Sequence, residues 1–155
     1  MKPEQKPITG NEDEKGLTGH MSALVEFYNA FNSRDIDKMS KNWAQTDEIA
    51  MDNPLGGIKR GWDEVRAVYE RIFNGPAKVY VEFYDYTIHE TEAMFYAVGR
   101  ERGKFRIGGN IVKLAIRTTR IFKLFDGQWR QVHHHGSIDD PTLLAHYQTV
   151  VRNNA

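Results

Sequence analysis

The chain has 155 residues, and its 21 Lys and Arg residues balance its 21 Asp and Glu residues. A chain of this length suggests one domain that buries roughly two-thirds of its unfolded surface. The neutral balance disfavours nucleic acid as a partner, because nucleic acid is bound by strongly basic surfaces. No apolar run approaches the roughly 20 residues that cross a bilayer. Without Cys and without an apolar leader after Met1, a cytoplasmic protein that does not enter membranes is expected.

Residues 1–18 are predicted to form a flexible tail. They carry two prolines, two glycines and many charges with little apolar surface, too little to offset the entropy lost on ordering. The single domain would then span residues 19–155.

Three helices are predicted next, from apolar side chains that recur every three or four residues. The first lies around Met21–Phe31, the second is capped by Asp35, and the third extends from Trp62 to Phe73 and ends at Gly75-Pro76. Between the second and third helices, "DEIAMDNPLGG" is typical of a strand that ends in a turn.

From residue 79 the apolar period changes to two, which predicts long strands over residues 79–89, 92–106 and 111–125. An Asp126-Gly127 hairpin turn leads into a fourth strand, "QWRQVHHHGS". A terminal helix over 140–151 begins at Asp140 and Pro141. The order predicts an α+β fold, a cone-shaped roll in which three N-terminal helices pack in a strongly curved, mostly antiparallel sheet, followed by a C-terminal helix.

Arg120 is the only charge on one face of the third long strand. A buried guanidinium requires an acidic partner. One interpretation is an internal ion pair, for which the candidates are Asp47, Glu48, Asp52 and Asp85. A second is a pocket in which Arg120 binds an anionic ligand, and a third is a fully solvated arginine at the end of the strand.

The register of a two-residue turn pairs Arg120 with His133 and Thr118 with His135. His133, His135 and Ser137 are therefore predicted on the Arg120 face, and His134 on the opposite face. The two predicted inward histidines could be structural or could transfer protons near neutral pH.

A metal site is a third interpretation of the histidines. His133 and His135 would be roughly 6.6 Å apart between Cα atoms, close enough to share an ion. The third ligand would have to come from His89, Asp52 or Asp85. Since the motif is weak and Arg120 would repel a cation, neither a metal nor a cofactor is predicted.

Four segments resemble the nuclear transport factor 2-like superfamily: "LVEFYNAFNSRDIDKMSKNWA", "AMDNPLGG", "GWDEVRAVYERIF" and "TRIFKLFDGQWRQVHHHGS". The resemblance covers about residues 20–138. It implies the roll shared by ketosteroid isomerases, SnoaL-like polyketide cyclases and the association domain of calcium/calmodulin-dependent kinase.

The ketosteroid isomerase pattern implies a catalytic base at Asn53, in "NPLG", where a neutral amide cannot abstract a proton. Its tyrosine position falls at Phe27, or at Tyr28 after a shift of one residue, and its oxyanion-hole acid falls at or beside Arg120. The pattern therefore implies that the chain is not a standard ketosteroid isomerase.

The kinase association domain is similar in its pocket arginine, at Arg120, and in its His-x-His-x-Ser ending, at His133, His135 and Ser137. A further arginine of that ending is replaced by Gly136.

The resemblance implies a cofactor-free domain that binds a small organic molecule, a carboxylate or other anion held by Arg120. His133 or His135 would assist proton transfer. As an enzyme it would be an isomerase, cyclase or lyase that begins with proton abstraction next to a carbonyl. The alternative is a non-catalytic scaffold. Under both hypotheses the protein is expected to form a homodimer or a larger homo-oligomer. The other predicted ligand-binding residues are Asn53, Tyr28, Trp43, Trp62, Tyr84 and Ser137.

Overall fold

A computed structural model describes residues 1–154 and confirms the predicted α+β fold. None of the helices within these residues is long and apolar enough to cross a membrane. The elements in chain order are α1 (Gly19–Asn32), α2 (Ile36–Asn42), β1 (Ala50–Asp52), β2 (Ile58–Arg60), α3 (Gly61–Asn74), β3 (Lys78–Glu90), β4 (Met94–Ile107), β5 (Asn110–Phe125), β6 (Gln128–Ser137) and α4 (Pro141–Asn153).

The six strands form one sheet in the order β2-β1-β6-β5-β4-β3. Neighbouring strands are antiparallel except β1 and β6, which run parallel. Side chains alternate across each strand, so one face of the sheet packs on the helices. We call this the inner face and the opposite side the outer face. The core lies between the inner face and α1 and α3, and Leu24, Val65 and Phe95 are fully buried in it.

Local signals place the ends of several elements as predicted. The Asp35 carboxylate accepts hydrogen bonds from two backbone N–H groups of α2, and Asp140 does the same for α4. Asp126 and Gly127 have φ angles of 48° and 79°, as a two-residue hairpin turn requires. The short strand β2 was not predicted.

The N-terminal segment differs from the predicted flexible tail because it packs against the sheet. The backbone of Ile8 exchanges two hydrogen bonds with Phe83, and Glu4 exchanges two with Tyr86. The Ile8 side chain is 2% exposed. The composition of residues 1–18 hides this buried apolar residue, which helps to cover the free edge of β3.

The predicted register of the last hairpin is correct only up to Gln131. A β-bulge at Val132 shifts the pairing, so that Phe122 faces Gln131 and Arg120 faces His134. A one-residue insertion moves the following side chains to the opposite face. The predicted division of the three histidines is therefore wrong: His134 points inward, whereas His133 and His135 lie on the outer face.

Candidate functional site

A cavity of about 390 Å³ lies between the inner face of the sheet and the helices. Its volume is within the usual range of small-molecule sites. Most of its wall is apolar, and α4 contributes Tyr147 and Val151. The polar side chains Glu101, Arg120 and His134 also line it.

Arg120 forms an internal ion pair, as one of the three sequence interpretations proposed, but with a different carboxylate. Its Nη2 atom lies 2.7 Å from Oε1 of Glu101 on β4. The two residues are 2% and 4% exposed, and the guanidinium also stacks on the Phe27 ring at 3.5 Å from its centroid. The four predicted acidic candidates are not the partner.

Further hydrogen bonds fix this pair from the side of α1 and β6. Arg120 donates from Nε to the Tyr28 hydroxyl at 3.2 Å and from Nη1 to Gln131 at 2.8 Å. The Tyr28 hydroxyl donates to Oε1 of Glu101 at 2.6 Å, the same oxygen that Arg120 contacts. Gln131 in turn donates to Asn42 at 3.3 Å. The network holds both charges in one orientation.

The pKa shifts agree with this geometry. Burial alone would lower the pKa of Arg120, but the adjacent Tyr28 and Glu101 raise it above its ordinary value. Burial raises the pKa of Tyr28 well above its ordinary value, and it raises the pKa of Tyr69, another lining residue, to about 12. Both phenols therefore remain protonated at neutral pH.

His134 is the titratable group in the wall that the sequence prediction missed. It is 6% exposed, and neither ring nitrogen has a hydrogen-bond partner among the described residues. Burial lowers its pKa well below the usual value, and the positive charge of Arg120 lowers it further. The imidazole is therefore neutral at pH 7, and one of its nitrogens can accept a hydrogen bond while the other donates.

The loop after β1 packs against β6 close to His134. Asn53 and Pro54 line the cavity there. A Cβ added to Gly136 would lie 2.7 Å from Cγ of Pro54 and 3.3 Å from Nε2 of His134. Gly136, which replaces the arginine of the kinase association domain pattern, thus leaves room for the loop and the imidazole.

The predicted catalytic residues lie outside this cavity, on the outer face. His135 Nδ1 is 2.8 Å from Oδ2 of Asp52 on β1, and His133 Nε2 is 4.0 Å from the same oxygen. Ser137 accepts a hydrogen bond from Arg117 at 3.3 Å. These three residues cannot act on a ligand inside the roll, although Asp52, His133 and His135 together could hold a metal ion.

Of the predicted ligand-binding residues, only Arg120 and Asn53 are among those that line the cavity. Tyr28 is not a lining residue, but its hydroxyl donates a hydrogen bond to Glu101, which is. Trp43 and Trp62 are buried in the core. Tyr84 stacks with Arg102 at 4.2 Å, on the outer side of β3.

Glu101 carries a signal that the sequence prediction did not use. The buried positions Phe95, Ala97, Phe105 and Ile107 alternate along β4, and Glu101 lies on the same alternation. Strict alternation therefore places this carboxylate on the inner face.

A family model described as the SnoaL-like domain matches residues 21–141. The chain belongs to the SnoaL-like family. This membership, with the structural neighbours below, also confirms the predicted nuclear transport factor 2-like superfamily.

Solved structures similar to this SnoaL-like domain include a provisionally assigned calcium/calmodulin-dependent protein kinase type II association domain from Thiobacillus denitrificans. Its sequence is 26% identical, and the two structures have a TM-score of 0.63. The match covers 77% of this chain and 94% of the association domain chain. A provisionally assigned dehydratase of the NTF2-like family from Streptomyces avermitilis is 22% identical in sequence, with a TM-score of 0.67. This match covers 77% of this chain and 92% of the dehydratase chain. The second likeness shows the fold alone.

One curated relative is the F-box protein SKIP8 of Arabidopsis thaliana, which is 23% identical over 147 residues. The match covers 90% of the SnoaL-like chain but only 60% of the relative's length.

Proposed function

We propose that this SnoaL-like domain binds a small, uncharged and mainly apolar organic molecule in the cavity of the roll. The observation that carries the proposal is a mainly apolar cavity of about 390 Å³ with a few polar groups in its wall. Such a site orients a ligand through hydrogen bonds and gains affinity from apolar burial.

The charge balance in the cavity favours a neutral ligand over the carboxylate expected from sequence. Glu101 already neutralises Arg120, so an anion would meet a carboxylate as well as a guanidinium. Both hydrogen bonds to Glu101 use Oε1, which leaves Oε2 as an acceptor for a ligand hydroxyl. His134 offers a second hydrogen-bonding group.

Ligand binding can be tested by thermal shift with three compounds that share one ring system: α-tetralone, its alcohol and the matching carboxylate. A ligand at ten times its Kd stabilises the fold by about 1.4 kcal/mol, which raises Tm by about 3–6 °C in a chain of this size. We expect the ketone and the alcohol to raise Tm more than the carboxylate does.

Two Trp variants locate the binding. Ala77 lines the cavity and is partly buried, so Ala77→Trp should fill the cavity and abolish the shift. Ala145 is exposed on α4, and Ala145→Trp should retain the shift. Equal shifts in both variants, or no shift in the wild type with any neutral compound of this size, would contradict the proposal.

Proton transfer is a second candidate function, supported by His134, which lines the cavity and whose ring nitrogens have no hydrogen-bond partner among the described residues. A base next to a bound carbonyl abstracts an α-proton, the first step of the isomerase, cyclase and lyase reactions. The dehydratase assignment of the Streptomyces avermitilis neighbour is compatible with this chemistry.

The test of proton transfer is exchange of the α-protons of α-tetralone for deuterium in D2O, followed by NMR. The wild type should accelerate exchange, and His134→Gln should abolish the acceleration while retaining the thermal shift. Binding without accelerated exchange would leave the domain a binding protein.

Assembly as a homo-oligomer is a separate proposal, supported by apolar side chains on the outer face. Tyr96 and Val98 on β4 are 36% and 42% exposed, and an apolar sheet face is suited to pair with a second copy. Light scattering should show a dimer or larger species that Val98→Glu dissociates, whereas Ala145→Glu, on the exposed side of α4, should not dissociate it. A wild-type protein that is monomeric by light scattering would refute the proposed assembly.

A further inference from the structure

The outer face carries a second cluster of chemically active side chains, separate from the cavity. Asp52 on β1 lies beside His135 on β6 in the parallel register, and His133 lies two residues before His135. One potential ligand atom from each of the three residues lies within 4.8 Å of the other two. The side chains are 27%, 30% and 54% exposed for Asp52, His133 and His135, so a solvated ion can reach them.

The hydrogen bonding of His133 prepares one nitrogen for a cation. Nδ1 lies 3.0 Å from the carbonyl oxygen of Ala50. Since a carbonyl only accepts, Nδ1 carries the proton, and in the neutral ring Nε2 presents a lone pair. That lone pair lies 4.0 Å from Oδ2 of Asp52. Two electron-rich atoms at this separation are stabilised by a positive ion between them, and a backbone carbonyl bonded to the other nitrogen is typical of metal-binding histidines.

His135 completes the set. Its Nδ1 donates to Oδ2 of Asp52 at 2.8 Å, so a proton lies between them when no metal is bound. Metal binding through Nδ1 would move this proton to Nε2 and keep the ring neutral.

The electrostatic objection raised from sequence does not apply to this cluster. Arg120 lies on the inner face and is paired with Glu101. On the outer face, the nearby Arg117 pairs with Asp139 at 2.5 Å. The strand residues that face His135 and His133 across β5 are the uncharged Thr119 and Ile121.

We propose that Asp52, His133 and His135 form a binding site for a first-row divalent metal ion such as Zn²⁺ or Co²⁺. Imidazole and carboxylate ligands bind such ions at about 2.0–2.2 Å, which places neighbouring ligand atoms roughly 3–3.5 Å apart in tetrahedral or octahedral geometry. The three donor atoms lie within 4.8 Å of one another, so metal binding would require side-chain rotations that bring them to these separations. Three protein ligands leave at least one coordination position for water or another molecule.

The test is a titration of untagged, EDTA-treated protein with Co²⁺, followed by visible absorption and by paramagnetic shifts of the histidine ring protons. The wild type should bind one equivalent, and Zn²⁺ should displace the Co²⁺. Asp52→Asn, His133→Gln and His135→Gln should each weaken binding at least tenfold. His146→Gln is the matched control, because His146 is exposed on α4, and it should bind as the wild type does.

Circular dichroism of each variant separates loss of a ligand from loss of the fold. Because all three side chains are partly exposed, the variants are expected to fold. The proposal is overturned if the wild type shows no saturable binding. It is also overturned if binding persists unchanged in the three ligand variants, or if it is lost in His146→Gln.

Discussion

The most informative perturbation of the fold is Glu101→Gln, which removes one charge of the buried ion pair and keeps the shape of the side chain. Arg120 would remain 2% exposed, with its guanidinium beside a neutral amide. Removal of one partner from a buried pair costs about 3–5 kcal/mol, because the remaining charge stays desolvated. In a chain of this size, that loss lowers Tm by about 6–20 °C.

Urea denaturation of the wild type and the variant measures the change in the free energy of unfolding. Glu70→Gln is the control, because Glu70 pairs with Arg66 at 2.7 Å while both side chains are 40% or more exposed. An exposed pair of this kind contributes about 0–1 kcal/mol.

The double variant Glu101→Leu with Arg120→Met tests whether the cost arises from the orphaned charge. Replacing both partners by apolar residues is often close to neutral, so the double variant should be more stable than Glu101→Gln. A loss below about 1 kcal/mol in Glu101→Gln would refute the reasoning, as would a double variant that is less stable than the single one.

Three further predictions concern other parts of the chain. The buried neutral imidazole of His134 has a pKa well below its ordinary value of 6.5, so the unfolded chain takes up the proton first as pH falls. The free energy of unfolding, measured with EDTA present, should therefore fall below about pH 6.5 by up to about 1.4 kcal/mol per pH unit. His134→Gln should remove this pH dependence, whereas the control His146→Gln should retain it. Ile8→Ala should lower the free energy of unfolding by about 2–4 kcal/mol, because the side chain is 2% exposed. Gly103→Ala should cost about 3 kcal/mol, since its Cβ would clash with the backbone carbonyl oxygen of Tyr80 on β3. Gly109→Ala meets no atom within 4 Å among the described residues and should change stability by less than about 0.5 kcal/mol.

Each of these predictions has a clear contrary result. Parallel stability curves against pH for wild type and His134→Gln would show that the imidazole is not desolvated. An Ile8→Ala change below about 0.5 kcal/mol would mean that the N-terminal segment adds nothing to the core. Equal effects of the two glycine substitutions would contradict the close approach of β3 and β4 at Gly103.

The sequence predicted the fold well because its periodic signals are long. Strands of 13, 14 and 16 residues repeat the alternation many times, and this was enough to place Arg120 correctly on the inner face. The N-terminal segment was predicted wrongly because composition averages over residues, whereas its contact depends on one buried apolar side chain, Ile8, and on a few backbone hydrogen bonds.

The site was predicted less well, for a physical reason that lies in β6. Both the odd and the even positions after Val132 are polar, so the alternation carries no signal of which histidines turn inward. The bulge decides this, and nothing in "QVHHHGS" marks it. Glu101, in contrast, could have been found, because it lies in phase with the buried apolar positions on either side of it along β4.

The extra residue at Val132 also affects how roles are transferred between relatives. An alignment that matches the His-x-His-x-Ser letters of two chains without a gap assumes that both strands contain the same bulge. If one chain lacks it, identical letters lie on opposite faces, and a cavity residue in one protein is equated with a solvent-facing residue in the other. Structure-based superposition of β5 and β6, with Val132 treated as an insertion, is therefore needed before any functional residue is carried into or out of this chain.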